Sequence, residues 1–161
     1  MLAIKYHHLR QLIHRPYLCY PILRHPQHSD ISLGQSDLQS IRAYEKTCVL
    51  EARETARLLH NISSERDLVH SFPWWQMISC LVCAGSILLV SSIFVEATPE
   101  FDVAGHCDDA ETCLRVFDAL SSNSAGARIA GDMIKAIKEC GWRWSMLCQQ
   151  STPCLSSLRL T

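Results

Sequence analysis

The sequence predicts an all-α protein, an irregular bundle of about five helices around one central apolar helix at residues 72–95. Between Asp67 and Glu96 the chain has no Asp, Glu, Lys or Arg, and this run is longer than an ordinary strand. Ser, Gly, Ala and Cys are interspersed there with Ile, Leu and Val, a composition that favours close packing of helices. The flanking segments carry apolar residues at helical spacings, so they can cover the central helix.

The central segment begins like a helix, because Ser71 can cap it, Pro73 suits a first turn, and Trp74 and Trp75 follow at once. About 20 helical residues span about 30 Å, which is enough to cross the apolar core of a membrane. Serines dilute the segment, however, and neither flank carries a block of Lys or Arg. We therefore expect a buried core helix. The alternative is a single-pass membrane protein with a transmembrane helix at about 74–95.

The first helix is predicted over residues 1–14. Its apolar residues recur at spacings of three and four, and four of them share one face with a fifth beside it: Leu2, Tyr6, Leu9 and Ile13, with Leu12. Pro16 should end this helix, because the residue before a proline is pushed out of the helical region.

The second helix is predicted to begin at Ser36, where residues 36–39 have the form of a capping box and Asp37 places negative charge near the positive end of the dipole. It should end near His60 or Asn61, and asparagine tolerates a left-handed cap. Its apolar stripe comprises Leu38, Ile41, Cys48, Ala52, Leu59 and Ile62. Two polar residues, Glu45 and Thr55, interrupt this stripe. Its charged residues are predicted to form a solvated outer face, comprising Glu51, Arg53, Glu54 and Arg57.

Residues 97–106 are predicted to form a loop that contains Pro99 and Gly105. Asp108 and Asp109 then start a short helix, since acidic residues favour the N-terminus. The buried face of this helix should comprise Ala110, Cys113, Leu114 and Phe117.

The last helix is predicted to be capped by Asn123 or Ser124 and to end at Gly141. Its apolar stripe comprises Ile129, Met133, Ile134 and Ile137. Residues 142–161 show no sustained period. The chain is therefore expected to divide into a helical part, 1–141, and a poorly specified tail, 142–161.

The length, charge and hydrophobic content limit the classes of function that the chain can have. With 161 residues, a net charge of −1 and a pI of about 6.7, the chain forms one domain or part of one and has no basic field that would hold nucleic acid. The hydrophobic fraction of 48% exceeds what solubility requires, and it favours packing against further chain or a partner.

Nine cysteines and eight histidines raise the question of redox or metal chemistry. The cysteine spacings are irregular and no secretory signal is recognised, so we expect reduced, mostly buried thiols of an intracellular protein. Cys80 and Cys83 form a Cys-x-x-Cys pair, but it lies inside the apolar helix with no strand pattern nearby, and both are predicted to be core thiols. No zinc-site spacing is present, and no metal or cofactor is expected.

The sequence favours a protein that is not an enzyme. It has no glycine-rich phosphate loop, no His-Glu-x-x-His and no nucleophile elbow. His60, Asp67 and His70 lie close in sequence, but no nucleophile is identified for them to serve.

The first segment also carries a motif. YHHLRQLIHRPYL, residues 6–18, resembles a helix of the fungal-specific transcription factor domain, the middle homology or regulatory region of fungal zinc-cluster transcription factors, in which a Tyr-His is followed by Leu-His-Arg-Pro-Phe-Leu. Three later pieces agree with that family in order: CVLEARETARLLHNI, FPWWQMISCLVCAGSILL and CLRVFDALSSNSAGARIAGDMIKAI. The motif residues, for which a structural role is expected, are Tyr6, His7, His14, Arg15, Pro16 and Leu18.

The resemblance implies a nuclear, non-catalytic regulatory domain that responds to a protein partner or a small metabolite. In that family zinc and DNA are bound by a separate N-terminal six-cysteine cluster, which this sequence lacks, so neither zinc binding nor direct nucleic-acid contact is implied here. The sequence resembles only the C-terminal half of the regulatory region, and a truncated or mis-spliced gene product is one hypothesis. Transcript sequencing tests it: a longer upstream reading frame would support it, and a start codon with its own promoter would exclude it.

Overall fold

The computed structural model describes residues 2–18, 34–61, 73–94 and 103–150, with the side chains of all but 93–94, 103–107 and 142–150. These residues form five α-helices and no strand, so the predicted all-α bundle of about five helices is confirmed. In chain order the helices are α1 (Leu2–Leu18), α2 (Gln35–His60), α3 (Trp74–Phe94), α4 (Val103–Ser121) and α5 (Ala125–Gln150).

Helix α3 is the centre of the bundle, as predicted, because it contacts each of the other four helices. Its buried apolar residues lie mainly on one broad face, and only Leu89 lies on the opposite side. They are Met77, Cys80, Leu81, Cys83, Ala84, Ile87, Leu88 and Leu89.

The start of α3 differs slightly from the prediction. Pro73 precedes the helix, and its carbonyl accepts hydrogen bonds from the N–H groups of Gln76 at 2.9 Å and Met77 at 3.2 Å. Ser71, the predicted cap, lies outside the described residues.

Three of the four serines of α3 are compatible with a buried or half-buried position because their hydroxyls donate to carbonyls of the helix itself, and the fourth, Ser79, is exposed. Ser86 donates to the Cys83 carbonyl at 3.0 Å, and Ser91 donates to the Leu88 carbonyl at 2.8 Å. A buried hydroxyl that has a hydrogen-bond acceptor avoids most of the cost of desolvation.

Glycines bring α3, α4 and α5 close together. A Cβ on Gly131 of α5 would lie 3.2 Å from the Cβ of Phe117 in α4, and one on Gly85 of α3 would lie 3.6 Å from the Cβ of Cys113. The buried face of α5 is accordingly built from small residues and one isoleucine: Ala127, Ala130, Gly131 and Ile134.

The predicted end of α1 is wrong, since the helix continues through Pro16 to Leu18. A proline removes one main-chain hydrogen bond and strains the preceding turn. Contacts made by the last turn compensate for this loss: Leu18 is buried, and the ring of Tyr17 lies 4.7 Å from that of Tyr44 in α2.

The predicted start of α2 is also displaced. Gly34, not Ser36, is the N-cap, and its N–H donates to the Asp37 carboxylate at 3.2 Å. Asp37 therefore lies in the first turn, as expected. The helix ends at His60 as predicted, but Asn61 has φ −76° and ψ −5°, so it adopts a right-handed rather than a left-handed conformation.

The apolar stripe of α2 is confirmed in its second half. Cys48, Ala52 and Leu59 are buried, whereas Leu38 and Ile41 are half-buried. The two polar interruptions are buried with the stripe, and Ile62 lies outside the described residues.

Helix α4 begins at Val103, so the predicted loop is wrong over residues 103–106, while 97–102 lie outside the described residues. Asp108 and Asp109, which were expected to start the helix, lie in its second turn. The helix therefore begins about a turn and a half before the predicted position. The predicted buried face is confirmed in full: Ala110, Cys113, Leu114 and Phe117.

The start of α5 is confirmed at Ser124, whose hydroxyl oxygen accepts the N–H of Ala127 at 3.2 Å. Its predicted end is wrong, because the helix passes through Gly141 to Gln150. No glycine in the described ranges has a positive φ, so Gly141 does not adopt the left-handed conformation that ends helices. The part of the predicted tail at 142–150 is therefore helical, and 151–161 lie outside the description.

The predicted apolar stripe of α5 is only half correct. Ile134 is buried and Ile137 is half-buried, but Ile129 and Met133 are exposed by 67% and 46%. The helix is rotated towards its small residues, because these allow the closest approach to α4.

Candidate functional site

Polar groups hold α1 against α2, and we call this contact the α1–α2 seam, formed by His7, Arg10, Gln11, Glu51 and Thr55. Gln11 has no exposed surface. Its Nε2 donates to the main-chain carbonyl of Glu51 at 3.0 Å and to the hydroxyl oxygen of Thr55. The Thr55 hydroxyl in turn donates to the same Glu51 carbonyl at 3.0 Å. One buried amide thus binds two groups of the facing helix.

The Glu51 carboxylate adds charge to the seam. His7 Nδ1 lies 2.5 Å from Glu51 Oε2, and the Arg10 guanidinium lies 2.8 Å from Oε1. The Glu51 side chain is only 10% exposed. Each carboxylate oxygen therefore has a partner on α1. Hydrogen bonds to a charged group are stronger than neutral ones, so these two contacts hold α1 and α2 together.

The prediction of a solvated charged face on α2 is therefore wrong for two of its four residues. Glu51 is buried under α1, and Arg53 is largely buried under α4, where its Nε lies 2.5 Å from Asp109 Oδ2. Glu54 and Arg57 are about half exposed, as expected. Helix α2 lies between α1, α3 and α4, and this leaves it a narrower outer face than its sequence suggests.

An aromatic group closes the C-terminal end of the seam. The imidazole of His14 stacks on the ring of Tyr44 with centroids 5.4 Å apart and planes inclined by 16°, and Tyr17 lies against the same ring. These contacts fix the end of α1 to the first half of α2.

The six family-motif residues do not form one site. His7 lies in the seam, His14 joins the aromatic group and Leu18 is buried. The other three are exposed, namely Tyr6, Arg15 and Pro16. The structural role expected for Arg15 stays a prediction.

The outer face of α1 is apolar, and we call it the α1 ridge, defined by Leu2, Tyr6, Leu9, Leu12 and Ile13. These side chains are exposed by 42% to 84%. Four of them lie on the side of the helix opposite Ile4 and Gln11, which face the bundle. The face predicted for α1 is therefore present, but it points away from the bundle.

The buried thiols are suited to packing, not to chemistry. Burial raises the pKa of Cys80 to about 11 and that of Cys113 to about 12. Burial also raises the pKa of Cys83, although the positive charge of Arg15 opposes this effect. A thiol reacts as its thiolate, which these groups do not form at neutral pH. The prediction that Cys80 and Cys83 are core thiols is confirmed.

A shallow groove lies between α4 and α5. Four of its six charged residues pair with one another across the groove, with Lys135 Nζ 2.8 Å from Asp118 Oδ1 and Lys138 Nζ 2.6 Å from Glu111 Oε2. These pairs satisfy those four charges within the protein. Within the described ranges, no three His, Cys, Asp or Glu side chains are grouped so that they could hold a metal ion.

Sequence analysis missed Gln11, Glu51 and Thr55 as the residues that join α1 to α2. One signal was present, since Thr55 interrupts an apolar stripe, and a polar residue in a buried stripe needs a partner. For Gln11 there was no such signal, because the apolar residues of α1 suggested the opposite face as the buried one.

One helix in the described part, over Trp74–Ser92, is long and apolar enough by length and composition to cross a membrane, and 56% of that window is buried in the bundle. Comparison of the chain with protein-family models, with curated proteins and with solved structures finds no match.

Proposed function

We propose that the chain is a non-catalytic regulatory domain of a fungal transcription factor and acts by binding a protein partner. The motif at residues 6–18 and the three later pieces in the same order support the family. The observation that carries the binding function is the α1 ridge, because a contiguous row of exposed apolar side chains rimmed by polar residues is typical of protein interaction sites.

The arrangement of α1 suits this role. The polar seam holds the helix in place from one side, so the ridge is presented on a fixed support and little ordering entropy is lost on binding. A partner that covers the ridge would also stabilise the docked position of α1 and shift the packing of the bundle. Binding of a small metabolite is the other mode that the family resemblance implies.

A reporter assay tests the proposal. The full chain is fused to an unrelated DNA-binding module in fungal cells, and transcription from a matched promoter is measured. We expect the fusion to change transcription, and we expect the double variant Tyr6→Ser/Leu9→Ser to remove most of the change. Ile129→Ser, an equally exposed apolar residue of α5, is the control and should have no effect.

A reporter that does not respond to the fusion would contradict the transcriptional role. Fractionation of a tagged copy from its own cells provides a second check, because the proposal expects recovery in the soluble nuclear fraction.

A single-pass membrane protein is the second candidate function, and the apolar helix over Trp74–Ser92 is the observation that favours it. Trp74 and Trp75 are more than half exposed at its start, where a membrane interface would place aromatic side chains. Carbonate extraction of the membrane pellet distinguishes the two candidates: retention in the pellet supports the membrane protein, and release supports the regulatory domain.

A further inference from the structure

We infer that the α1 ridge binds an acidic amphipathic helix of the partner protein. This inference rests on the proposed function only in taking the partner to be a protein. It adds the secondary structure and the charge of the segment that the ridge recognises, which follow from the spacing of the ridge residues and from the charges beside them.

The spacing fits a second helix. Leu2, Tyr6, Leu9 and Ile13 follow one another at intervals of four, three and four residues, which is the spacing of the a and d positions in a coiled coil. This row is narrow and runs along nearly the whole of α1, a helix of 17 residues and about 26 Å. Side chains in such a row fit between those of one facing helix.

The charge selects an acidic partner. Helix α1 contains Lys5, Arg10 and Arg15 and no Asp or Glu. Lys5 and Arg10 lie on opposite sides of the ridge, at the positions that face the flanks of a paired helix. A second copy of α1 would oppose cations with cations in either direction, which is unfavourable. Arg10 is already paired with Glu51, so Lys5 is the cation that a Glu or Asp at a flanking position of the partner helix would pair with.

Tyr6 is the anchor of the ridge. The Arg10 guanidinium carbon lies 5.5 Å from its ring centroid, and the His7 ring packs against it edge to face with centroids 5.4 Å apart. Its hydroxyl accepts a hydrogen bond from Arg10 at 3.0 Å. Both supporting residues are themselves held by Glu51. A tyrosine fixed in this way loses little freedom on binding, and tyrosines with these properties are common among the residues that dominate interfaces.

The test measures the affinity of the full chain for a labelled model peptide by fluorescence anisotropy at physiological salt. The peptide has about three heptads with Leu at positions a and d and Glu at the flanking positions. A matched peptide carries Lys in place of each Glu. We expect the acidic peptide to bind at least tenfold more tightly than the basic one.

Variants of the chain locate the binding site. Leu9→Ser should weaken binding of the acidic peptide by about 10-fold to 100-fold, the equivalent of one leucine removed from a buried contact. Lys5→Glu should weaken the acidic peptide and strengthen the basic one, each by severalfold. Ile129→Ser should leave both affinities unchanged. Circular dichroism confirms that each variant keeps its helix content, which is expected because all three positions are exposed.

Three outcomes would overturn the inference: no saturable binding of the acidic peptide, equal binding of both peptides, or unchanged binding after Leu9→Ser. Vesicles that contain anionic lipid are tested in parallel, and binding of vesicles without binding of peptide would assign the ridge to a membrane surface instead. The reporter assay separates this inference from the proposed function. Peptide binding without a reporter response would support the ridge as a helix-binding site and reject the transcriptional role. A reporter response without peptide binding would support the transcriptional role and reject the ridge as a site for an acidic helix.

Discussion

The α1–α2 seam and the contacts of α3 with α4 and α5 hold the same bundle together in opposite ways. The seam is polar: a buried amide, a carboxylate and a hydroxyl meet between two helices. Around α3 the contacts are apolar, and Gly85 allows α3 to approach α4 closely, as Gly131 does between α5 and α4. The stability that apolar contacts contribute depends on how well side-chain volumes fit, so a cavity or a clash lowers it. The stability that polar contacts contribute depends on the pairing of individual atoms. Substitutions that change only volume, only charge or only one polar pair should show how much each kind of contact contributes.

The largest effect is expected from a charge placed in the apolar core. Leu88→Asp should unfold the domain at a cost of more than about 4 kcal/mol, because Leu88 is fully buried and a lone buried charge is strongly destabilising. Helical circular dichroism and thermal melting measure this. The matched control, Ile129→Asp at an exposed position, should melt almost as the wild type does. Retained helicity and an unchanged melting temperature in Leu88→Asp would show that α3 is not the core.

The second effect is expected in the seam. Glu51→Ala should lower the free energy of unfolding by about 2 kcal/mol, because His7 and Arg10 both lose their charged acceptor. Glu54→Ala, on the same helix but about half exposed, should change it by less than about 0.5 kcal/mol. Urea unfolding of the two variants makes the comparison. Equal effects at Glu51 and Glu54 would mean that the polar pairs contribute nothing beyond an ordinary surface.

A third effect, of opposite sign, is expected at a close contact. Gly85→Ala should raise the free energy of unfolding by about 1 kcal/mol, because the new methyl group meets Cys113 at an ordinary contact distance and alanine favours the helix. Gly131→Ala should raise the free energy of unfolding by less. Its methyl group would lie 3.2 Å from the Cβ of Phe117, which is closer than an ordinary contact. Urea unfolding ranks the two, and a larger gain at Gly131 would show that α4 and α5 have room between them.

The smallest effect concerns pH. Burial raises the pKa of Glu45 above its ordinary value, although the charge of Arg42 opposes this. The folded protein therefore favours the protonated form, and the stability contributed by this group falls as pH rises from the ordinary carboxyl pKa through the raised one. Glu45→Gln should therefore raise the free energy of unfolding at pH 7, where the charged form of Glu45 carries the cost of burial.

The same variant should show no gain at a pH below the ordinary carboxyl pKa, because Glu45 is protonated in both states there. Urea unfolding at the two pH values is the measurement, with Glu54→Gln as the control. A gain at Glu45 that persists at low pH would indicate that its charge is not the cause.

The sequence predicts the apolar part of this fold well. The central helix, the buried face of α4 and the cap at Ser124 all follow from hydrophobic runs and from capping chemistry, which act locally. The ends of helices are less predictable, because Pro16 and Gly141 are tolerated inside helices when neighbouring contacts compensate or when glycine keeps a helical conformation. Such compensation is a property of the packed bundle and not of the segment.

The seam and the outward direction of the ridge could not be predicted, because α1 buries Gln11 together with Ile4 and Leu18 and leaves its longest apolar row exposed. Leu2 and Leu9 suggest a buried face, but the helix turns Gln11 inwards and leaves those leucines exposed. Whether a helix buries its apolar or its polar side depends on what the facing helix offers, and α2 offers a main-chain carbonyl and Thr55. Only the three-dimensional arrangement of the two helices contains that information.

The two hydrogen bonds of Gln11 also fix the register of α1. An apolar row repeats every seven residues, so two helices joined by such a row can slide by one repeat and find similar contacts. Gln11 is the only glutamine of α1. Its amide can donate to the Glu51 carbonyl and to Thr55 at only one position of α1 along its axis. Sliding α1 by one such repeat would leave the buried amide without these two partners. The seam therefore sets where along the bundle the ridge is presented, as well as which way it faces.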